Sequence, residues 1–228
     1  MTNEQQQGTN LDSWLDAYAA RAETLAVSEV RALFSVVSRP EVVSLAGGMP
    51  YVAALPQELL AKAYHDLMAK KGNLAIQYGG GQGDLVLRDQ IRELMALEGI
   101  QSSVEDLVIT TGSQHGLDLL SGLFLDKGDV VVAEGPSYVG ALGIFRHYEA
   151  DVEHVYTDHD GMSPEALQET ITKLKAQGRK IKFLYLVPNF ANPSGVTLSA
   201  ERQETTKTVR PRSTSQRIIE FSSRRSST

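Results

Sequence analysis

The sequence predicts an α/β fold in which a parallel sheet is covered by helices, and three observations carry that prediction. From Leu107 onward, short β-branched or aromatic segments alternate with segments of helix length, the grammar of strand–helix–strand units. Each candidate strand is bounded by Gly, Asp or Pro. The chain has 228 residues, 42% of them apolar, and no cysteine, so a sizeable core can form without crosslinks.

The elements follow in order. Apolar positions at helical spacing fall in two pieces, Leu11 to about Ala22 and Glu29 to about Val37, the second preceded by Ser28 as N-cap. A Gly-rich loop, Ser44–Pro50, comes next. Pro56 suits the first position of a helix that Gly72 can close, and Asp84 caps another that ends near Gly99. Strands are then predicted over Leu107–Thr110, Asp129–Glu134, Val152–Tyr156 and Lys182–Val187. Helices are predicted between them over Ser113–Leu125, Ser137–His147 and Ser163–Ala176, the last with Pro164 at its first position.

Charge and hydropathy narrow the function classes. The formal charge of −6 gives no electrostatic footprint for nucleic acid or anionic membrane. The longest stretch free of Asp, Glu, Lys and Arg, Phe183–Ala200, is interrupted by Pro188 and Pro193, so it is no spanning helix. The first fifteen residues lack the apolar run of a signal peptide, and a cytoplasmic protein is expected. The character changes near Gln203: residues 201–228 carry net charge +4 and are rich in Ser and Thr, with little to bury.

In a parallel sheet, ligands gather outside the carboxyl ends of the strands. The first such loop, Thr110-Thr111-Gly112-Ser113-Gln114-His115, leads from a glycine turn into a helix. Its backbone N–H groups and positive helix end suit a phosphate dianion; an ordinary capped helix has the same pattern. The second, Glu134-Gly135-Pro136-Ser137-Tyr138, places a ring just past a strand end, where it can face a flat ligand or simply pack. The third, Val187-Pro188-Asn189-Phe190-Ala191-Asn192-Pro193-Ser194-Gly195, combines two Asn, two Pro and a Gly in a rigid loop, where an Asn amide can donate to a phenolate-type oxygen.

Other chemistries fail on spacing. The glycines at 79, 80, 81 and 83 do not fit the dinucleotide pattern and follow no predicted strand. There is no Gly-Lys dipeptide and no G-x-S-x-G. Glu153, His154, Asp158, His159 and Asp160 are explained by a strand that ends in an Asp-rich turn at Gly161, without a metal.

These three loops, with Ser44–Pro50 and Tyr78-Gly79-Gly80-Gly81-Gln82-Gly83, resemble the fold-type I pyridoxal-phosphate aminotransferases of class I/II. Within them the match is best to the aminoadipate and aromatic amino acid group, over about residues 14–202. The resemblance implies an aspartate-aminotransferase-like large domain, pyridoxal 5′-phosphate as cofactor, and transfer of an amino group between an amino acid and a 2-oxo acid. It assigns Gly112, Ser113 and Gln114 to the cofactor phosphate, Tyr138 to ring stacking and Asn192 to the cofactor's ring oxygen. Tyr78 matches a tyrosine that reaches the phosphate held by the neighbouring subunit, so a homodimer is implied. Gly47 and Gly48 match backbone beside the substrate carboxylate, and Arg31 a helix position that some members turn toward the substrate side chain. His115, Ala191 and Ser194 depart from the commonest residues without removing an essential group. Decarboxylases and lyases share these loops, so the reaction type stays open, as does a non-catalytic binding or structural role.

The resemblance also predicts what is missing. The family's Schiff-base lysine, in a Ser-x-x-Lys segment, and the carboxylate partner of the cofactor's pyridine nitrogen both follow the Asn-Pro loop. This sequence ends 36 residues past Asn192 and contains no Ser-x-x-Lys. The expectation is therefore a truncated or frameshifted chain without appreciable turnover: residues 1–45 as N-terminal helices or arm, 46–202 as an incomplete cofactor-binding large domain, and 203–228 as an aberrant, disordered tail. The family's strand order, 3-2-4-5-6-7-1, predicts that the second, third and fourth strands pair. Leu107–Thr110, strand one, would lack its neighbours, at ~1–3 kcal/mol for each buried unpaired group, so that either it closes up against strand four or this half is loose.

Overall fold

The computed structural model describes residues 17–19, 22, 39, 41–43, 51–97, 99–209 and 219–221. Helices α1 (Gln57–Ala75) and α2 (Leu85–Leu97) precede α3 (Gly112–Phe124), and from there strand and helix alternate. The order is β1 (Val130–Gly135), α4 (Val139–His147), β2 (Asp151–Asp158), β3 (Gly161–Met162), α5 (Pro164–Ala176), β4 (Ile181–Tyr185), α6 (Ala200–Thr208) and β5 (Ile219–Phe221). The sheet runs β3-β2-β1-β4-β5. Its pairings are parallel except for the β2–β3 hairpin.

β1 lies at the centre because its sequence suits nothing else. Val130, Val131, Val132 and Ala133 are all buried, the unbroken apolar run of a strand covered on both faces. Val131 and Ala133 join Phe183 and Tyr185 under α3 and α4, through Leu117, Ala141, Ile144 and Phe145. Val130 and Val132 face the other way, onto Leu167, Ile171 and Leu174 of α5. Each large apolar side chain so buried stabilises the fold by roughly 1.5–3 kcal/mol.

Local signals set most boundaries. Asp84 Oδ1 accepts from Leu87 N at 2.9 Å, and Ser163 Oγ accepts from Ala166 N at 3.1 Å with Pro164 opening α5. α1 runs three residues past Gly72, although its backbone breaks helical geometry at Lys71. Lys182 is the extra residue of a bulge between β1 and β4. Its ammonium reaches Phe124 O at 2.6 Å and the buried Asp129 at 3.0 Å.

The strand, helix and pairing predictions hold from Asp129 to Val187, including the adjacency of the second, third and fourth strands. Leu107–Thr110 needs correction: it is not a strand. No strand among the described residues lies beside it, and a lone segment cannot form a ladder. Ile109 N instead donates to Gln82 O at 2.9 Å. Residues 203–208, grouped with the tail, continue α6, and Ile219–Phe221 pairs with β4; residues 210–218 and 222–228 lie outside the described residues, as do most of the predicted N-terminal helices.

Candidate functional site

β1 and β4 are parallel neighbours, so their exits lie side by side at the carboxyl edge of the sheet. From β1 the chain passes through Pro136 and Ser137 to Tyr138, the N-cap of α4. Tyr138 is half-buried, and its ring covers Gly140 so closely that a Cβ there would sit 2.5 Å from the ring Cζ. Any larger residue at 140 would displace the ring.

From β4 the chain enters the Asn-Pro loop. Ala191 N donates to Val196 O at 2.9 Å, and Leu198 N to Pro188 O at 2.7 Å. Phe190 N is held by Thr197 Oγ1 at 3.2 Å. These cross-braces leave Asn192 and Pro193 exposed at the loop's tip, joined by a cis peptide bond.

The third loop opens α3, whose last turn meets Lys182 at the start of β4 and whose first turn lies about 20 Å away along the helix, at ~1.5 Å per residue. Gly112 begins it with φ +79°, the left-handed region that favours glycine, and no atom stands within 4 Å of where its Cβ would be. Thr111 provides no side-chain cap, and Ser113 and Gln114 are exposed. Gly112 N donates to Thr110 O at 2.9 Å, and Thr111 gives the N–H groups that follow no side-chain cap. His115 accepts from Thr111 N at 3.1 Å and holds the turn.

The remaining candidates are placed differently. Tyr78 is fully exposed between α1 and α2, in a loop tied to the segment before Gly112 through Gln82. Arg31, Gly47 and Gly48 lie outside the described residues. Asp158, His159 and Asp160 bring their ligand atoms within 4.8 Å of one another, but Asp158 is already bound by Arg202.

Sequence reasoning gave Glu134 no role, although a glutamate closing a run of Val-Val-Val-Ala is a visible anomaly. Its side chain is buried, and Oε1 accepts from Val187 N at 2.7 Å. Burial pushes its carboxyl up to about 7, with the Val187 N–H pulling the other way. Burial, with the Glu134 and Tyr138 groups beside it, pushes the Tyr185 hydroxyl up to about 12.

The architecture has known counterparts. The family model for aminotransferase class I and II matches residues 40–209. The chain belongs to this family. Among curated relatives, it is 35% identical over 188 residues to aromatic-amino-acid aminotransferase 1 of Thermococcus litoralis, covering 82% of this chain and 45% of that protein. It is 35% identical over 183 residues to 2-aminoadipate transaminase of Thermus thermophilus, covering 80% and 44%. A kynurenine aminotransferase of Pyrococcus horikoshii, solved in complex with PMP, superposes with a TM-score of 0.76 at 37% identity, over 82% of this chain and 46% of that one. The aminotransferase segment described here therefore spans a little under half the length of the relatives it matches. Among its described residues, no helix is long and apolar enough to cross a membrane.

Proposed function

We propose that this segment supplies the phosphate-holding and ring-stacking half of a pyridoxal-phosphate-dependent aminotransferase, which moves an amino group between an amino acid and a 2-oxo acid. The observation that carries the reading is that the Tyr138 loop after β1 and the braced Asn192 loop after β4 leave neighbouring parallel strands at one sheet edge, and the uncapped start of α3 supports it. The residues fit the cofactor. The N–H groups of Ser113 and Gln114, beyond the Gly112 turn, can receive its phosphate, Tyr138 offers a half-buried ring to its plane, and Asn192 can donate to its ring oxygen. When bound, the cofactor supplies the electron sink for amino transfer. The fully exposed Tyr78 is free to reach a second subunit, which supports a homodimer. A cytoplasmic role in amino acid metabolism completes the reading, with Gly47, Gly48 and Arg31 on the substrate side.

The segment by itself is inactive in this reading. Lys62, Lys70 and Lys71 lie on α1, and Lys173 and Lys175 on α5. Lys127 pairs with Glu149, while Lys180 and Lys182 pair with Asp129 near the amino ends of the strands. Lys127, Lys180 and Lys182 are thus held away from the carboxyl edge, where the cofactor's aldehyde would lie. The test is incubation of the full chain with pyridoxal 5′-phosphate, borohydride reduction and peptide mapping. Saturable binding without a lysine-specific adduct or amino transfer is expected. One specific adduct with turnover overturns the inactivity, and absence of saturable binding overturns the cofactor reading.

A further inference from the structure

The described residues include two buried carboxylates, Asp129 and Glu134. Asp129 is met by Lys182 at 3.0 Å and Lys180 at 3.5 Å. Glu134 makes no ion pair among the described residues; its side-chain partner is a backbone group, Val187 N, 53 residues further along the chain. A carboxylate buried without a cation is costly to retain, so what it does at this position matters.

The ladder between β1 and β4 has its last register pair at Ala133 and Tyr185. One residue beyond it on β1 and two beyond it on β4, the chains diverge toward the Tyr138 and Asn192 loops. The Glu134 side chain takes the place of the next rung, since Oε1 accepts from Val187 N where no backbone carbonyl does. On its own strand, Ser137 Oγ donates back to the Glu134 carbonyl oxygen, which fixes the turn leading to Tyr138. One residue therefore grips both loop exits.

We propose that Glu134 is a positioning residue, which sets the Tyr138 loop against the Asn192 loop through the hydrogen bond it accepts from Val187. The proposal rests on the cofactor reading of Tyr138 and Asn192 given above. Removing the acceptor leaves Val187 N–H unpaired and frees the two exits to separate. The ionised carboxylate is the stronger acceptor, so the grip varies with protonation. Tyr185 on β4 lies beside Glu134, with Tyr138 of the β1–α4 loop beside Tyr185 in turn, and the His154 ring on β2 has its Nδ1 3.3 Å from the Glu134 carbonyl oxygen.

The test uses ¹⁵N-labelled full chain as wild type, Glu134→Ala and Glu134→Gln, with pyridoxamine 5′-phosphate as the probe. In E134A, the Val187 amide exchanges with solvent about tenfold faster, the Asn192 and Tyr138 signals shift, and probe affinity falls about tenfold. E134Q keeps an acceptor oxygen and restores all three. In the wild type the Val187 amide shift titrates near neutral pH, and E134Q abolishes that titration. If E134A does not fold, the wild-type titration and E134Q decide. The proposal is overturned if Val187 is indifferent to pH and to the loss of Glu134, if E134Q behaves as E134A does, or if Val187 exchange quickens while Asn192 and Tyr138 stay in place. Should no form bind the probe while the signals respond as expected, the positioning role stands and the cofactor reading falls.

Discussion

Arg202 grips Asp158 with two parallel hydrogen bonds, Nη1 to Oδ1 at 2.6 Å and Nη2 to Oδ2 at 2.9 Å, while Nη1 also reaches Gly161 O at 2.7 Å. This fork fastens α6 to the β2–β3 hairpin and so anchors the far end of the Asn192 loop. Arg202, followed by the Asp160 N–H, holds the Asp158 carboxyl down at about 2. A carboxyl lowered in the folded state contributes stability above its unfolded value, near 3.8, and loses it as pH falls through about 2. Arg202→Ala is expected to move the acid-unfolding midpoint to higher pH, and Arg202→Lys to restore it only in part, because an ammonium lacks the fork. Circular dichroism between pH 2 and 6 measures both.

Glu134 titrates in the opposite sense. Its carboxyl is raised from 4.5 to about 7, so the folded state holds the proton more tightly. The resulting stability is fully present below about 4.5 and declines as pH rises through 7. Between pH 5 and 8 the wild type loses on the order of 2 kcal/mol from this group. Glu134→Gln removes that decline, leaving the variant the more stable chain at pH 8. Urea unfolding at the two pH values is the measurement; equal pH dependence in both proteins contradicts it.

Phe145 is 1% exposed and meets Phe183 at 6.2 Å and Tyr185 at 5.5 Å between ring centroids. Phe145→Ala opens a cavity between α4 and the sheet, at a cost of about 3–5 kcal/mol. Against a typical total of ~5–15 kcal/mol, the expected result is a large drop in the urea midpoint or failure to fold. Phe145→Leu is expected to lose less.

Gly161 has φ +96°, and a Cβ there would stand 2.6 Å from Leu198 Cδ1 and 2.9 Å from Leu198 Cα. Gly161→Ala therefore strains the turn and pushes against backbone that cannot yield cheaply, for a loss of about 1–3 kcal/mol. Faster hydrogen exchange at Ser199, whose N–H is held by Asp160 O, locates the damage.

Residues close together in the chain dictate the types of element and the chemistry of the loops. Val130–Ala133 announces a doubly covered strand, Ser163-Pro164 a helix start and Asn192-Pro193 a rigid turn, because each depends on residues close together in the chain. Resemblance to a known family supplied the adjacency of the three main strands. Long-range contacts, by contrast, keep Leu107–Thr110 out of the sheet, give Ile219–Phe221 the edge beside β4, and bring Glu134 to Val187 across 53 residues. A strand exists only if a partner presents its backbone, and a buried carboxylate survives only where a donor from elsewhere reaches it. Both conditions are set by contacts between segments that are remote in the chain, and no local pattern of residues records them.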